Sequence, residues 1–310
     1  MATTLRRSGA HSEMLFRQHL CSAVMNVELR HLRALVAIGD EGTITGAALA
    51  LHMSQPALSR TLEQLESRLG TRLVERTTRR LTLTEPGRRL WEQAHRILNQ
   101  VDTALAEVAP GTQPRSIRVA FAWSALGSHT VPLLRAWRDS HPETPVHVRR
   151  VDDPEAAVRR GEADVAFLRT DPTLDPSLLS CSLIHEQRMV AVPEEHPLAQ
   201  RSAVRLADLA GQPVVLCSTA STAGADLWPD DQRPLTFQVP GVDEWLTTIA
   251  TGEAVGVTSA GTSYNHPHPG VRYLPLSGAA PVTVYLVWPR SPSHPATDAL
   301  RRLVQQQLES

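Results

Sequence analysis

The chain has 310 residues, 42% of them hydrophobic, enough to bury a core in each of two or three compact units. No stretch approaches the roughly 20 apolar residues of a membrane span, and residues 1–23 lack the apolar middle of a secretion signal, so a cytoplasmic protein with no membrane partner is expected. The net charge of -1 hides a split, with 14 Arg against 11 acidic residues up to position 110 and 17 against 21 beyond it.

All 31 residues counted as Lys or Arg are Arg. Schiff-base, Walker-type and Ser-Lys chemistry are thereby excluded, while planar, bidentate recognition of phosphate, carboxylate and guanine is retained. Cys21, Cys181 and Cys217 are an odd number without CxxC spacing, so neither a disulfide framework nor a metal site is expected. No cofactor is implied either.

Residues 1–26 mix Arg, Ser and His without periodicity and read as a disordered extension. A first helix is predicted over about Glu28 to Ile38, with Leu29, Leu32, Leu35 and Val36 inward, and Thr43 or Thr45 is placed to cap a second. Met53 and Ser54 open a tight turn into a third helix, where Ser54 is an apt N-cap and Pro56 suits the first turn. Gln55, Ser59 and Arg60 are then left on one exposed face, and Ala57, Leu58, Leu62 and Leu65 on the opposite one, packed on Ala47, Ala48 and Leu51. A helix that follows a tight turn and starts with polar groups is a reader of the DNA major groove.

Alternation over Leu73 to Leu83 around Thr77-Thr78-Arg79-Arg80 predicts a two-stranded wing. Arg68, Arg72, Arg76, Arg79 and Arg80 face one acid, Glu75, and this excess is placed where a duplex backbone would lie. The candidate DNA contacts are Thr45, Ser54, Gln55, Pro56, Ser59, Arg60, Arg76, Arg79 and Arg80.

Leu29-Arg30-His31-Leu32, Ala47-Ala48, Ser54-Gln55-Pro56-Ala57-Leu58-Ser59-Arg60, Leu65-Glu66, Leu69-Gly70, Leu73, Glu75-Arg76 and Leu83-Thr84-Glu85-Pro86-Gly87 together resemble LysR-type transcriptional regulators. The likeness is dense over residues 27–90 and rests on fold pattern beyond them. Where the family often has a basic residue before the Ala-Ala pair, this chain has Gly46. Met25-Asn26-Val27-Glu28 resembles the usual start of the family's first helix, which makes Met25 the expected physiological start.

After the winged helix-turn-helix of residues 27–85, a long helix is predicted over 86–110. Leu90, Ala94, Ile97, Val101, Leu105 and Val108 recur three or four apart, a narrow seam for which a second copy is the natural partner and the chain's own domain the alternative. Ala109 to Pro114 then reads as a linker.

From residue 115 the pattern alternates. Strands are expected at Ile117 to Ala122, Val146 to Val151 and Asp164 to Leu168, with helices at His129 to Ser140 and Pro154 to Arg160, a parallel βαβ arrangement. Arg188 to Val192, Val214 to Cys217, Thr236 to Val239 and Val255 to Thr258 supply a second sheet, joined by a helix from Val242 to Gly252. Val282 to Trp288 and a helix from His294 to Leu308 close the chain. The resemblance implies a two-lobed α/β effector domain similar to periplasmic solute-binding proteins. Lobe I would hold residues 115–185 and 280–310 and lobe II residues 186–279, with crossings near Leu183 to Val192 and Leu274 to Val282.

In such sheets a ligand lies beyond the carboxyl ends of the strands. The candidates there are Trp123, Ser124, Asp153 and Arg169 from the first lobe and Ser218, Thr219 and Thr258 from the second. The hydroxyls could equally cap helices, and Arg169 could pair with Asp171 or Asp152 instead of an effector carboxylate. His266 and His268 sit in a Pro-rich loop without further ligands, so no metal is assigned. GxSxG, HExxH, GxGxxG and GxxxxGK[ST] motifs are absent. The resemblance therefore implies a regulator and not an enzyme. It implies binding to double-stranded DNA, to a small-molecule effector such as an organic acid, to itself as a dimer or tetramer, and to RNA polymerase at the promoter.

Overall fold

The computed structural model describes residues 27–76, 81–108, 115–219 and 222–309. The expected extension, the wing tip with Arg79 and Arg80, and the linker lie outside the described residues. The chain divides into two compact units, Met1–Ala109 and Pro110–Ser310.

The first unit contains α1 (Leu29–Glu41), α2 (Ile44–Ala50), α3 (Gln55–Leu69), β1 (Val74–Arg76), β2 (Leu81–Leu83) and α4 (Glu85–Val108). Each start has a local cause. The Glu28 N–H donates to His31 Nδ1 at 2.9 Å, opening α1, and Thr43, rather than Thr45, caps α2 by accepting from the Gly46 N–H at 3.1 Å. Ser54 stands at the N-cap of α3, but its side chain makes no cap hydrogen bond; Pro56 removes one N–H that has no helical partner. Leu35, Ile38, Leu58 and Leu65 are fully buried with Ala47 at the centre of the three-helix core. Burying each large side chain contributes about 1.5–3 kcal/mol.

β1 and β2 pair antiparallel, Val74 opposite Leu83. Thr84 then starts α4, its hydroxyl accepting from the Gly87 N–H at 3.1 Å and donating to the Arg72 carbonyl at 2.8 Å. A Cβ on Gly87 would lie 1.9 Å from the Leu73 carbonyl oxygen, so only glycine lets α4 begin against the wing. The first half of α4 belongs to its own unit. Leu90 and Trp91 join the core, and the Trp91 indole donates to Asp40 at 2.9 Å. Further along, Ile97 and Leu105 are exposed.

The second unit is built from two sheets. In lobe I the strand order is β4 (Val146–Arg150), β3 (Ile117–Phe121), β5 (Val165–Leu168), β13 (Val282–Pro289) and β6 (Leu178–Glu186). The first three are parallel, and β13 runs antiparallel between β5 and β6. Helices α5 (Thr130–Ser140) and α9 (Thr297–Glu309) bury Leu133, Trp137, Leu300 and Val304 on one face, while α6 (Pro154–Arg159) brings Ala157 and Val158 to the other.

In lobe II the order is β10 (Thr236–Val239), β9 (Val214–Cys217), β11 (Val255–Ser259), β7 (Arg188–Pro193), β12 (Val271–Ser277) and β8 (Val204–Arg205). Helix α7 (Val242–Ala250) packs Trp245 and Ile249 on this sheet, and α8 (Ala260–Asn265) follows β11 directly. The chain passes between lobes at Gln187, the single residue between β6 and β7, and again between β12 and β13. β6, β8 and β12 add strands where the sequence reading had only crossings or loops. Ser, His and Pro interrupt their apolar runs, and it is pairing with β13 and β7 that makes β6 and β12 strands.

Asp164, completely buried ahead of β5, ties lobe I together. It accepts from Arg118 Nε and Nη2 at 3.1 and 3.0 Å, from the Arg118 backbone at 2.9 Å, from Arg115 at 2.8 Å and from Ser293 at 2.5 Å. Burial alone would raise its pKa, but these bonds and the Arg118 charge outweigh it and hold the carboxyl below its ordinary value. Because the folded pKa is the lower one, the stabilisation is complete above the unfolded value near 3.8 and disappears as pH falls through the folded value. Urea unfolding of wild type and Asp164→Asn between pH 7 and 3 should therefore show a smaller loss on acidification in the variant.

Candidate functional site

On the first unit, α3 presents Gln55 and Arg60 to solvent, with Ser59 half-buried beside them. Two bonds preset this face: Gln55 Nε2 donates to Thr45 Oγ1 at 3.1 Å, which joins α2 to α3, and Arg60 Nε donates to the Pro56 carbonyl at 3.2 Å. Ser54 and Pro56 are exposed at the start of the same helix. Arg76 ends β1. Arg68, read with the wing arginines, instead lies against His31 at 3.3 Å and Glu28 at 3.7 Å, because the last turn of α3 packs over the start of α1. Gly46 carries no side chain to reach a phosphate, and a Cβ there would meet Glu41 and Thr43 at 3.0 Å.

On the second unit, a cavity of about 590 Å³ opens beyond the carboxyl ends of the lobe I strands. Trp123, Ser124, Asp153, Arg169, Ser218 and Thr219 are all in its wall. Thr258 is not. It is buried in β11 opposite Met189, and its hydroxyl has no partner among the described residues; Thr262, four residues on in α8, lines the cavity instead. The reading also missed Glu155, Phe167, Thr170, Asp171, Thr173 and Thr222, which line it too. The run Leu168-Arg169-Thr170-Asp171 at the end of β5 was the available signal for two of them.

The structure corrects the chemistry expected of Arg169. Its guanidinium is not an open clamp: Nε and Nη2 donate to the two oxygens of Glu186 at 2.9 and 2.7 Å, and Nη1 donates to the carbonyls of Ser124 and Ala125. Both side chains are more than nine-tenths buried. Burial pushes the Glu186 carboxyl up, but the Arg169 bonds and charge and the Gly261 N–H hold it below its ordinary range. A Cβ on Gly261 would fall 2.5 Å from Arg169 and 2.6 Å from Glu186, so glycine lets the second lobe close over this pair.

The same corner joins the lobes. Asn265 donates to Ser124 Oγ at 3.0 Å, Ser124 Oγ donates to the Gly261 carbonyl at 3.2 Å, and His266 Nε2 lies 2.8 Å from the Trp123 carbonyl. Trp123 packs edge-on to Trp245 with ring centres 5.5 Å apart. Asp153 accepts from the Ala156 N–H at 2.8 Å, so the N-terminus of α6 is already capped. Among the described residues no His, Cys, Asp and Glu group could hold a metal ion, and no helix is long and apolar enough to cross a membrane.

Two family models match the chain. One, described as a bacterial regulatory helix-turn-helix protein of the lysR family, matches residues 29–88, and the LysR substrate binding domain matches residues 110–309. The chain belongs to the LysR family. Among its relatives, the uncharacterized HTH-type transcriptional regulator YnfL of Escherichia coli K12 is 32% identical over 282 residues, 86% of this chain and 93% of YnfL. The Hca operon transcriptional activator HcaR of the same organism is 30% identical over 295 residues, 92% of this chain and 99% of HcaR. The crystal structure of full-length BenM superposes with a TM-score of 0.53 at 27% identity, covering 90% of this chain and 96% of BenM. That of full-length CbnR with its target DNA, at 22% identity and a TM-score of 0.61, shows the shared fold. This LysR chain is thus a DNA-binding transcription regulator with an effector-binding domain, and not an enzyme.

Proposed function

We infer that this regulator reads its operator with Gln55, Ser59 and Arg60 of α3, and that a small organic acid bound in the cavity between the lobes shifts its promoter binding. It acts in the cytoplasm, where promoter and RNA polymerase are found. The observation that supports the effector reading is the cavity itself: its volume suits a metabolite, and it is walled by side chains from both lobes. A ligand held by both lobes favours one arrangement of them and so shifts a population. Arg169 serves this site indirectly, fixing the Ser124 and Ala125 carbonyls and the hinge strand β6 through Glu186.

The test is a gel shift on the chain's own upstream region, with and without a panel of organic acids. Arg60→Ala should weaken specific binding by about 1–3 kcal/mol and relax sequence preference. Binding that no acid changes would remove the effector reading. An Arg60→Ala protein with unchanged preference would move base recognition off this face.

A further inference from the structure

An organic acid in the lobe cavity calls for a cation, and Arg169 is already bound to both oxygens of Glu186. A second guanidinium stands beside the cavity. Arg188 opens β7 immediately after the crossing residue Gln187 and lines an adjoining pocket of about 460 Å³. The cavity and the pocket share Arg169, Thr170, Asp171 and Thr222, so they meet along one edge.

The partners of Arg188 are main-chain carbonyls. Its Nε donates to Ala280 at 2.9 Å and its Nη1 to Thr222. Among the described residues Nη2 has no partner, and no carboxylate stands at ion-pair distance from the guanidinium. The side chain is half-buried, and a charge taken partly out of water without a counter-ion is unfavourable. Its pKa responds accordingly: burial lowers it, and the charge of Asp226 offsets only part of that. Two bonds thus fix a planar donor group whose remaining N–H groups match a carboxylate that the protein does not supply.

We propose that the effector is a compact monocarboxylate whose carboxylate is held by Arg188, with the rest of the molecule in the lobe cavity. This rests on the effector reading above and supplies the cation that Arg169 does not. Asp171 and Asp226 line the same pocket and are exposed. A second negative charge on the ligand would meet them, which selects against dicarboxylates. The position also gives the contact a consequence for the lobes. Arg188 is one residue past the first crossing, and Ala280, which accepts from it, lies in the second, between β12 and β13. A carboxylate on Arg188 acts where both crossings run and favours the lobe arrangement that preserves the contact.

The full-length protein is titrated calorimetrically with the monocarboxylic acids that alter the gel shift, with the primary amide of each, and with dicarboxylates that extend them by one carboxyl group. An acid should bind about tenfold more tightly than its amide, the contribution of one charge-assisted contact, and more tightly than its dicarboxylate. Arg188→Gln should bring acid and amide to equal affinity, and Arg188→Lys should restore most of the preference. Comparing the two ligands within each variant separates the charge from any loosening of the Ala280 and Thr222 bonds, which weakens both alike. Asp226→Asn should raise acid affinity about threefold and leave amide affinity unchanged, a test that stands even where Arg188→Gln does not fold. Equal binding of acid and amide by the wild type, an acid preference that survives Arg188→Gln, tighter binding of a dicarboxylate, or an Asp226→Asn protein with unchanged acid affinity overturns the assignment and leaves the effector reading intact. If no acid alters the gel shift or binds, the effector reading falls and this assignment with it.

Discussion

Replacing Glu186 with alanine is expected to lower the stability of the effector domain by about 3–5 kcal/mol, the cost of leaving one member of a buried ion pair uncompensated. The Arg169 guanidinium would keep its bonds to the Ser124 and Ala125 carbonyls but lose both carboxylate oxygens. The Gly261 N–H, which donates to Glu186 at 3.3 Å, would lose its acceptor as well. The effect reaches both lobes because β6 ends at Glu186 and Gly261 belongs to the second lobe. Urea unfolding measures it. Glu186→Gln, which preserves hydrogen-bonding capacity without the charge, should fall between alanine and wild type. Replacing Arg169 with Met together with Glu186→Leu should recover much of the loss, since an apolar pair carries no desolvation cost. A loss below about 1 kcal/mol for Glu186→Ala, the range of exposed pairs, would mean that water reaches this corner.

Substituting Glu for both Ile97 and Val101 is expected to convert the protein to monomers and to reduce operator affinity by about 10²–10⁴, the advantage that linking two half-site readers confers. The first turns of α4 are committed to their own unit through Leu90, Trp91 and Ala94. Ile97 and Leu105, by contrast, are 39% and 60% exposed. An apolar stripe continuing past the residues that pack on the core of its own unit suits a second copy of the helix. Opposed glutamates in that pair would be desolvated like charges. Sedimentation should show a monomer, and gel shifts on a half-site should be unchanged while those on the full operator weaken. A double variant that stays dimeric would place the subunit contact elsewhere.

Local chemistry made much of this protein legible from its sequence. The caps and breaks around α2 and α3, the apolar spacing of Leu58, Leu62 and Leu65, and the Thr84 to Gly87 corner depend on residues close in the chain, so the helix-turn-helix could be read directly. The strand ends bearing Trp123, Ser124 and Arg169 were legible for the same reason, as each closes a short apolar run, and Asp153 stands immediately ahead of Pro154, a helix-start signal.

The partners of those residues were not. Glu186 is 17 positions from Arg169, Gly261 is 137 from Ser124, and the strand β6 that carries Glu186 owes its form to pairing with β13 about a hundred residues later. An arginine at a strand end reads as an open cation until the fold supplies its carboxylate. Charge and burial depend on what stands opposite in space: strand ends in the sequence marked several of the groups that line the cleft, whereas the exclusion of Thr258 and the bonding of Arg169 to Glu186 follow only from how distant strands pair.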